Sequence, residues 1–297
     1  MNDEFKYKIY LPSKSRYFYF TQLNNQTYTT LAKIIANDDS EQLNKLFCKM
    51  VYKMSSRRVD PRKITRVDMF CILLNIYIIC VSNSIEMKGE VKDGIPQAFN
   101  LDLYSVLDKV TNFEFDYTRD VQVNQDVSMT LKCPSVMYVS ETDDLIADCV
   151  ESLTIYDNKH NLIDLTLQQK RNVLDNVPAD VITSMITKMT EINDEYQLTI
   201  IDNPEQEQKI VMSLYNNSMF EILKLIYRQS LEAQYFYKYF LSKHLNIPDI
   251  DAHTPAEIQT YMRFFKQEQE EIEKQRKAQE KGSTGGTHLG GPIPGVE

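Results

Sequence analysis

The residues best spaced for chemistry are five carboxylates within eleven positions: Glu141, Asp143, Asp144, Asp148 and Glu151. Acids four apart share a helix face, and such sets serve as the acid and base of a hydrolase or as ligands of a hard divalent cation. The same spacing also makes a solvated helix face with acids near its positive N-terminal end. In a chain of net charge −9 the second reading is the expectation, because the acids must go somewhere. A Ser or Cys nucleophile would need a histidine base. The four histidines are His160, His244, His253 and His288, and none stands in a telling context. His244 follows an aromatic helix face and is expected to pack there or to cap the C-terminal end, where a cation is favoured. Structural zinc needs close Cys or His pairs. No Cys-x-x-Cys, His-x-x-x-His or His-Glu-x-x-His occurs. Phosphate-cradling loops need glycine, and residues 1–281 contain only Gly89 and Gly94, so a Walker or Rossmann loop is excluded. The expectation is a protein with no catalytic residue, no metal and no cofactor, which acts by binding other proteins.

The residues suited to that task are aromatic. The chain has 18 Tyr and 13 Phe but no Trp, and tyrosine joins an apolar face to one hydroxyl, which suits surfaces covered only when a partner arrives. Phe220, Leu223, Ile226, Tyr227 and Leu231 form one helical stripe and are expected in the core. Tyr235, Phe236, Tyr237, Tyr239 and Phe240 add more surface than one stripe can hide. Tyr235, Phe236 and Tyr239, with Phe264 and Phe265 and with Gly291, Pro292, Ile293 and Pro294 of the tail, are the candidate partner-binding residues. Nucleic acid is not an expected partner, because the net charge repels phosphate. The densest basic run, Arg57, Arg58, Arg62, Lys63 and Arg66, is expected to be a solvated turn. No membrane span is expected either. The most apolar segment, Met69 to Val81, has 13 residues against about 20 needed to cross a bilayer. Cys48, Cys71, Cys80, Cys133 and Cys149 are odd in number and mostly set in apolar runs, which predicts buried thiols in a reducing compartment. The polar start Asn2-Asp3-Glu4 lacks the pattern of a signal peptide.

The elements that must position these residues are mainly helical, and the expected class is α+β. Alternation around Pro12-Ser13-Lys14-Ser15 predicts a hairpin over residues 5–20. Leu31, Ile34 and Ile35, then Leu43, Leu46, Phe47 and Met50, recur at helical spacing, with Asp38, Asp39 and Ser40 between them. Thr65-Arg66-Val67-Asp68 has the form of a capping box ahead of an apolar helix over 66–82. Alternation at Val121, Val123, Val127, Met129 and Leu131 predicts a β-rich insertion, with a helix near 101–111. Helices return at 165–177 and along the stripe Val181, Ile182, Met185, Ile186 and Met189, followed by a strand at 197–201. Ser218 with Glu221, and Thr254-Pro255 with Glu257, each predict a capped helix start. The last helix turns almost wholly charged over 267–281, as a solvated projection or a surface for a partner does. The division expected is 1–83 (hairpin plus helices), 84–157 (β-rich), 158–281 (helical) and 282–297, a tail with six of the eight glycines. Such a tail is expected to be disordered alone and extended in a partner's groove.

Tyr10-Leu11-Pro12-Ser13, the aromatic strand after it, Leu23 and the helix opening Tyr28-Thr29-Thr30-Leu31 resemble the N-terminus of T-even-type myovirus baseplate hub proteins. Thr254-Pro255-Ala256-Glu257-Ile258 with Tyr261 and Phe264-Phe265-Lys266 is similar to that family's helical ending. The resemblance spans 6–80 and 165–275. It implies a non-enzymatic structural or assembly protein of the hub of a contractile tail. Other baseplate and tail proteins, the central hub first, would be its partners, with several copies around a symmetric hub. It also implies a place in the virion baseplate, after assembly in the host cytoplasm. An assembly chaperone absent from the mature particle is the alternative, and a hydrolase using the 141–151 acids is a third.

Overall fold

A computed structural model describes residues 6–89, 97–135, 142–156, 158–203, 208–213, 215–244 and 247–283. Strands β1 (Lys6–Leu11) and β2 (Arg16–Thr21) form the antiparallel hairpin expected at the N-terminus. Its 3-10 turn at Pro12–Lys14 closes on Ser15 in the left-handed region, φ 49°. Helices α1 (Asn25–Ala36) and α2 (Ser40–Met54) follow, the second capped by Asp39, which accepts from Gln42 N. Helix α3 (Arg66–Cys80) begins at the Thr65–Asp68 capping box, with both reciprocal bonds formed. It is apolar all round and buried on nearly every face, which places it at the centre of the molecule.

The hairpin cannot stand alone and leans on α3, where Ile9, Leu11 and Phe20 are buried. Asp68 secures it. Besides closing the capping box, its carboxylate accepts from Ser13 N at 3.0 Å and from Ser13 Oγ. One side chain thus satisfies the start of a central helix and the tip of a hairpin 55 residues away.

Three further sheets are antiparallel between sequence neighbours. Strands β3 (Ser84–Gly89) and β4 (Gln97–Asp102) pair as a hairpin ahead of α4 (Leu103–Asn112). A meander follows: β5 (Thr118–Gln122), β6 (Val127–Lys132), β7 (Val150–Ile155) and β8 (Asn158–Asn161), with α5 (Thr142–Cys149) between β6 and β7. Val127, Met129 and Leu131 turn inward on β6, as the alternation predicts. Helices α6 (Leu167–Leu174) and α7 (Ala179–Glu195) lead to β9 (Gln197–Asn203) and β10 (Gln208–Ser213), a hairpin of which the sequence reading found only the first strand. The α6 start is a Thr166–Gln169 capping box that the sequence also carried unrecognised.

Two long helices finish the described chain, α8 (Ser218–His244) and α9 (Pro255–Ser283). One hydrophobic cluster runs from Ile9 of β1 through α3 and the meander to Tyr227 of α8. A second, small one joins Leu241 and Ile258 of α8 and α9 to Ile250 between them. The α8 start corrects the expected Ser218–Glu221 capping box. Ser218 lies one residue inside the helix, and its hydroxyl accepts from Ser213 N at 2.8 Å on β10. Asn216 Oδ1 takes the Ser218 N–H instead, and Glu221 turns to Lys224.

Candidate functional site: the aromatic surface of the C-terminal helices

The first half of α8 is core. Tyr227 is fully buried, stacked 5.9 Å from Tyr28 of α1 and edge-on 5.6 Å from Tyr77 of α3, and its hydroxyl donates to Leu73 O at 2.8 Å. Beyond Gln234 the helix leaves that cover. Tyr235 is 48% exposed, Phe236 55% and Tyr239 59%, large fractions for aromatic side chains in a chain with an ample core. Lys33 Nζ sits over the Tyr235 ring at 5.1 Å, and Lys243 Nζ donates to the Tyr239 hydroxyl at 2.7 Å.

Helix α9 opens on its own cap. Thr254 and Glu257 form the reciprocal capping box: Thr254 N donates to the carboxylate at 2.7 Å and Glu257 N to the hydroxyl at 3.3 Å. Gln259 Nε2 donates to Val81 O at 2.5 Å and Cys80 O at 3.2 Å, which caps the C-terminal end of α3 and fastens α9 to the body. Phe265 meets Phe240 edge to face at 4.8 Å, and Phe240 stacks on His244 at 4.7 Å. From Lys266 to Ala278 every side chain is exposed. Between α8 and α9, with Val81 behind, lies an open groove of about 1020 Å³. Ala233 and Phe236 line one wall, and Met262, Arg263 and Lys266 the other.

The structure therefore brings Phe236 and Phe265 to one place through Phe240, with Tyr235 and Tyr239 on the adjoining face of α8 and Phe264, 57% exposed, beside Arg263. Gly291, Pro292, Ile293 and Pro294 lie outside the described residues. Sequence reasoning missed the groove-lining Ala256, Gln259, Arg263 and Lys266, although their spacing of three and four already put them on one helix face.

The other candidate, the acids of 141–151, is not the solvated face expected. Asp144 and Asp148 are buried. Asp144 pairs with Arg171 of α6, and Asp148 accepts from Ser135 N at 2.7 Å and from Ser135 Oγ. Glu141 and the Asp143 side chain lie outside the described residues. The basic run is corrected at its last member. Arg66 is wholly buried, not part of a solvated turn; it donates to Asn216 O at 2.7 Å, and burial pushes its guanidinium pKa down. Among the described residues no group of three or more His, Cys, Asp or Glu is placed to hold a metal ion. Cys71, Cys80, Cys133 and Cys149 are buried free thiols, and desolvation pushes Cys80 and Cys133 up to about 12.

The model of the family described as T4 bacteriophage base plate protein matches residues 3–220, well over half of the chain. The chain belongs to that family. No curated protein and no solved structure matches it. Family membership makes the chain a structural component of a phage tail baseplate, which works in contact with other tail proteins in the virion. The match includes the β-rich middle, which the sequence resemblance left aside, and stops at the start of α8. Tyr235, Phe236, Tyr239, Phe264 and Phe265 thus lie C-terminal to it. No helix among the described residues is long and apolar enough to cross a membrane.

Proposed function

We propose that this baseplate protein is a non-enzymatic part of the central hub, retained in the finished tail, and that it meets its neighbours through the outer half of α8 and the length of α9. The observation that carries the reading is the run of aromatic side chains left half bare on α8 and α9, next to a groove and C-terminal to the family match. Large exposed aromatics rimmed by charge are the usual anchors of a protein interface. The Gly/Pro-rich tail 282–297 is a second contact element in this proposal, a segment suited to a partner's extended groove, and the units 1–83, 84–157, 158–281 and 282–297 are carried with it. Several copies around a symmetric hub would repeat the contact.

Mass spectrometry of purified particles against infected-cell lysate tests it. Stoichiometric retention is the expected result. Abundance in lysate with absence from particles would establish the assembly chaperone instead, made in the host cytoplasm and released before maturation.

A further inference from the structure

The groove between α8 and α9 has a charge pattern that its apolar lining does not explain. At 100° per residue, Arg263, Lys266, Glu270, Lys274 and Lys277 fall within about 80° of arc on α9. Four of the five are basic, in a chain of net charge −9. The first two line the groove, and the stripe continues beyond it on side chains that are all exposed. Acids are nearby: Glu232 lines the α8 wall, and Glu273 pairs with Lys277 at 2.7 Å along the helix. The apolar part of the lining is Val81 behind, Ala233 and Phe236 on the α8 side and Met262 on the α9 side.

The geometry points to an acidic amphipathic helix of a neighbouring baseplate subunit as the occupant of this groove. A helix has a diameter of about 10 Å and rises about 1.5 Å per residue, so 1020 Å³ holds about nine residues, two and a half turns. Its apolar stripe would cover Phe236 and Met262, as amphipathic helices do in hydrophobic grooves. Its carboxylates would lie along Arg263, Lys266 and, past the groove, Lys274. A strand of nucleic acid would meet the same cations, but it gains less from a groove whose rings are Phe236 and the half-buried Tyr237, and the negative field of the whole chain opposes it. The inference rests on the reading of this surface as a subunit interface and names the chemistry of what it meets.

Two fluorescein-labelled helical peptides of about 16 residues test it. They share leucines at helical spacing and differ only in carrying Glu or Lys on the flanks. Anisotropy with the full chain is expected to show the acidic peptide binding about tenfold tighter, a difference of 1.4 kcal/mol, with affinity falling as salt rises. Arg263→Glu with Lys266→Glu should reverse the preference, and both side chains are exposed enough for circular dichroism to stay unchanged. Equal binding of both peptides, binding of neither, or displacement of the acidic peptide by single-stranded DNA of equal charge would overturn the inference. The subunit-interface reading has its own readout, since Phe236→Ala with Tyr239→Ala should lower incorporation into particles whichever peptide binds.

Discussion

Replacing Asp68 by alanine is expected to cost more stability than any single surface change. The carboxylate is fully buried and receives four hydrogen bonds: Thr65 N at 2.9 Å, Thr65 Oγ1 at 3.0 Å, Ser13 N at 3.0 Å, and Ser13 Oγ. Losing the reciprocal half of a capping box costs about 1 kcal/mol. Each hydrogen bond from Ser13 to a charged acceptor is worth about 1.5 kcal/mol or more, and without Asp68 the Ser13 donors lose their acceptor at a partly buried site. The sum is about 4 kcal/mol, a large share of the 5–15 kcal/mol typical of a folded domain. Urea unfolding of the full chain followed by circular dichroism measures it. Because the loss runs through Ser13, the Ser13→Ala, Asp68→Ala double variant should be less destabilised than the two singles combined, with a coupling of about 1–2 kcal/mol. Amide exchange should speed up first in β1 and β2 while the second half of α3 keeps its protection. A loss under about 1 kcal/mol, or strict additivity with Ser13, would refute the claim that Asp68 holds the hairpin on the helix.

Alkaline pH should unfold the protein through its buried acids. Cys80 and Cys133 ionise near 9.0 when free and at about 12 in the fold, so their contribution is complete below pH 9 and is lost as pH rises through that window. Each group removes about 1.4 kcal/mol per pH unit, and a melting temperature unchanged between pH 7.5 and 10.5 would count against the burial of these thiols. Tyr227→Phe removes only the bond to Leu73 O and should cost about 1 kcal/mol in a thermal melt, whereas Tyr227→Ala also empties the site between Tyr28 and Tyr77 and should cost about 3–5 kcal/mol. Arg171→Ala strips the partner from buried Asp144 and should destabilise by about 3 kcal/mol in urea unfolding. Alanine at Tyr235, Phe236, Tyr239 and Phe264 together should leave the urea midpoint within about 0.3 M, since the four are half bare, yet lower incorporation into particles at least several-fold.

Local rules were legible in the chain itself. The hairpin around Pro12–Ser15, the apolar helix opening at Thr65 and the helix opening at Thr254 each follow from a few adjacent residues. Their turn chemistry, capping bonds and hydrophobic period are satisfied within one or two turns of backbone, so no distant partner has to be known. The division of α8 into a core half and an exposed aromatic half was also visible, because one helix stripe cannot hide five aromatics in six positions.

Burial of individual polar residues was decided only by the tertiary structure. Arg57, Arg58 and Arg66 look alike in a basic run, yet the first two are exposed and Arg66 is enclosed because α3 is central and Asn216 arrives from 150 residues away. Asp144 and Asp148 became structural because Arg171 and Ser135 reach them from other elements. The Ser218 hydroxyl went to β10, where Ser213 offers an N–H, while Asn216 Oδ1 took the Ser218 N–H. The groove depends on where α9 is held, and contacts distant in sequence hold it: Gln259 to the end of α3, and Phe265 to Phe240. Such outcomes depend on which surfaces meet across the chain. A polar side chain is drawn inside only when a partner from elsewhere repays its desolvation, and nothing in its own sequence neighbourhood says whether one will be there.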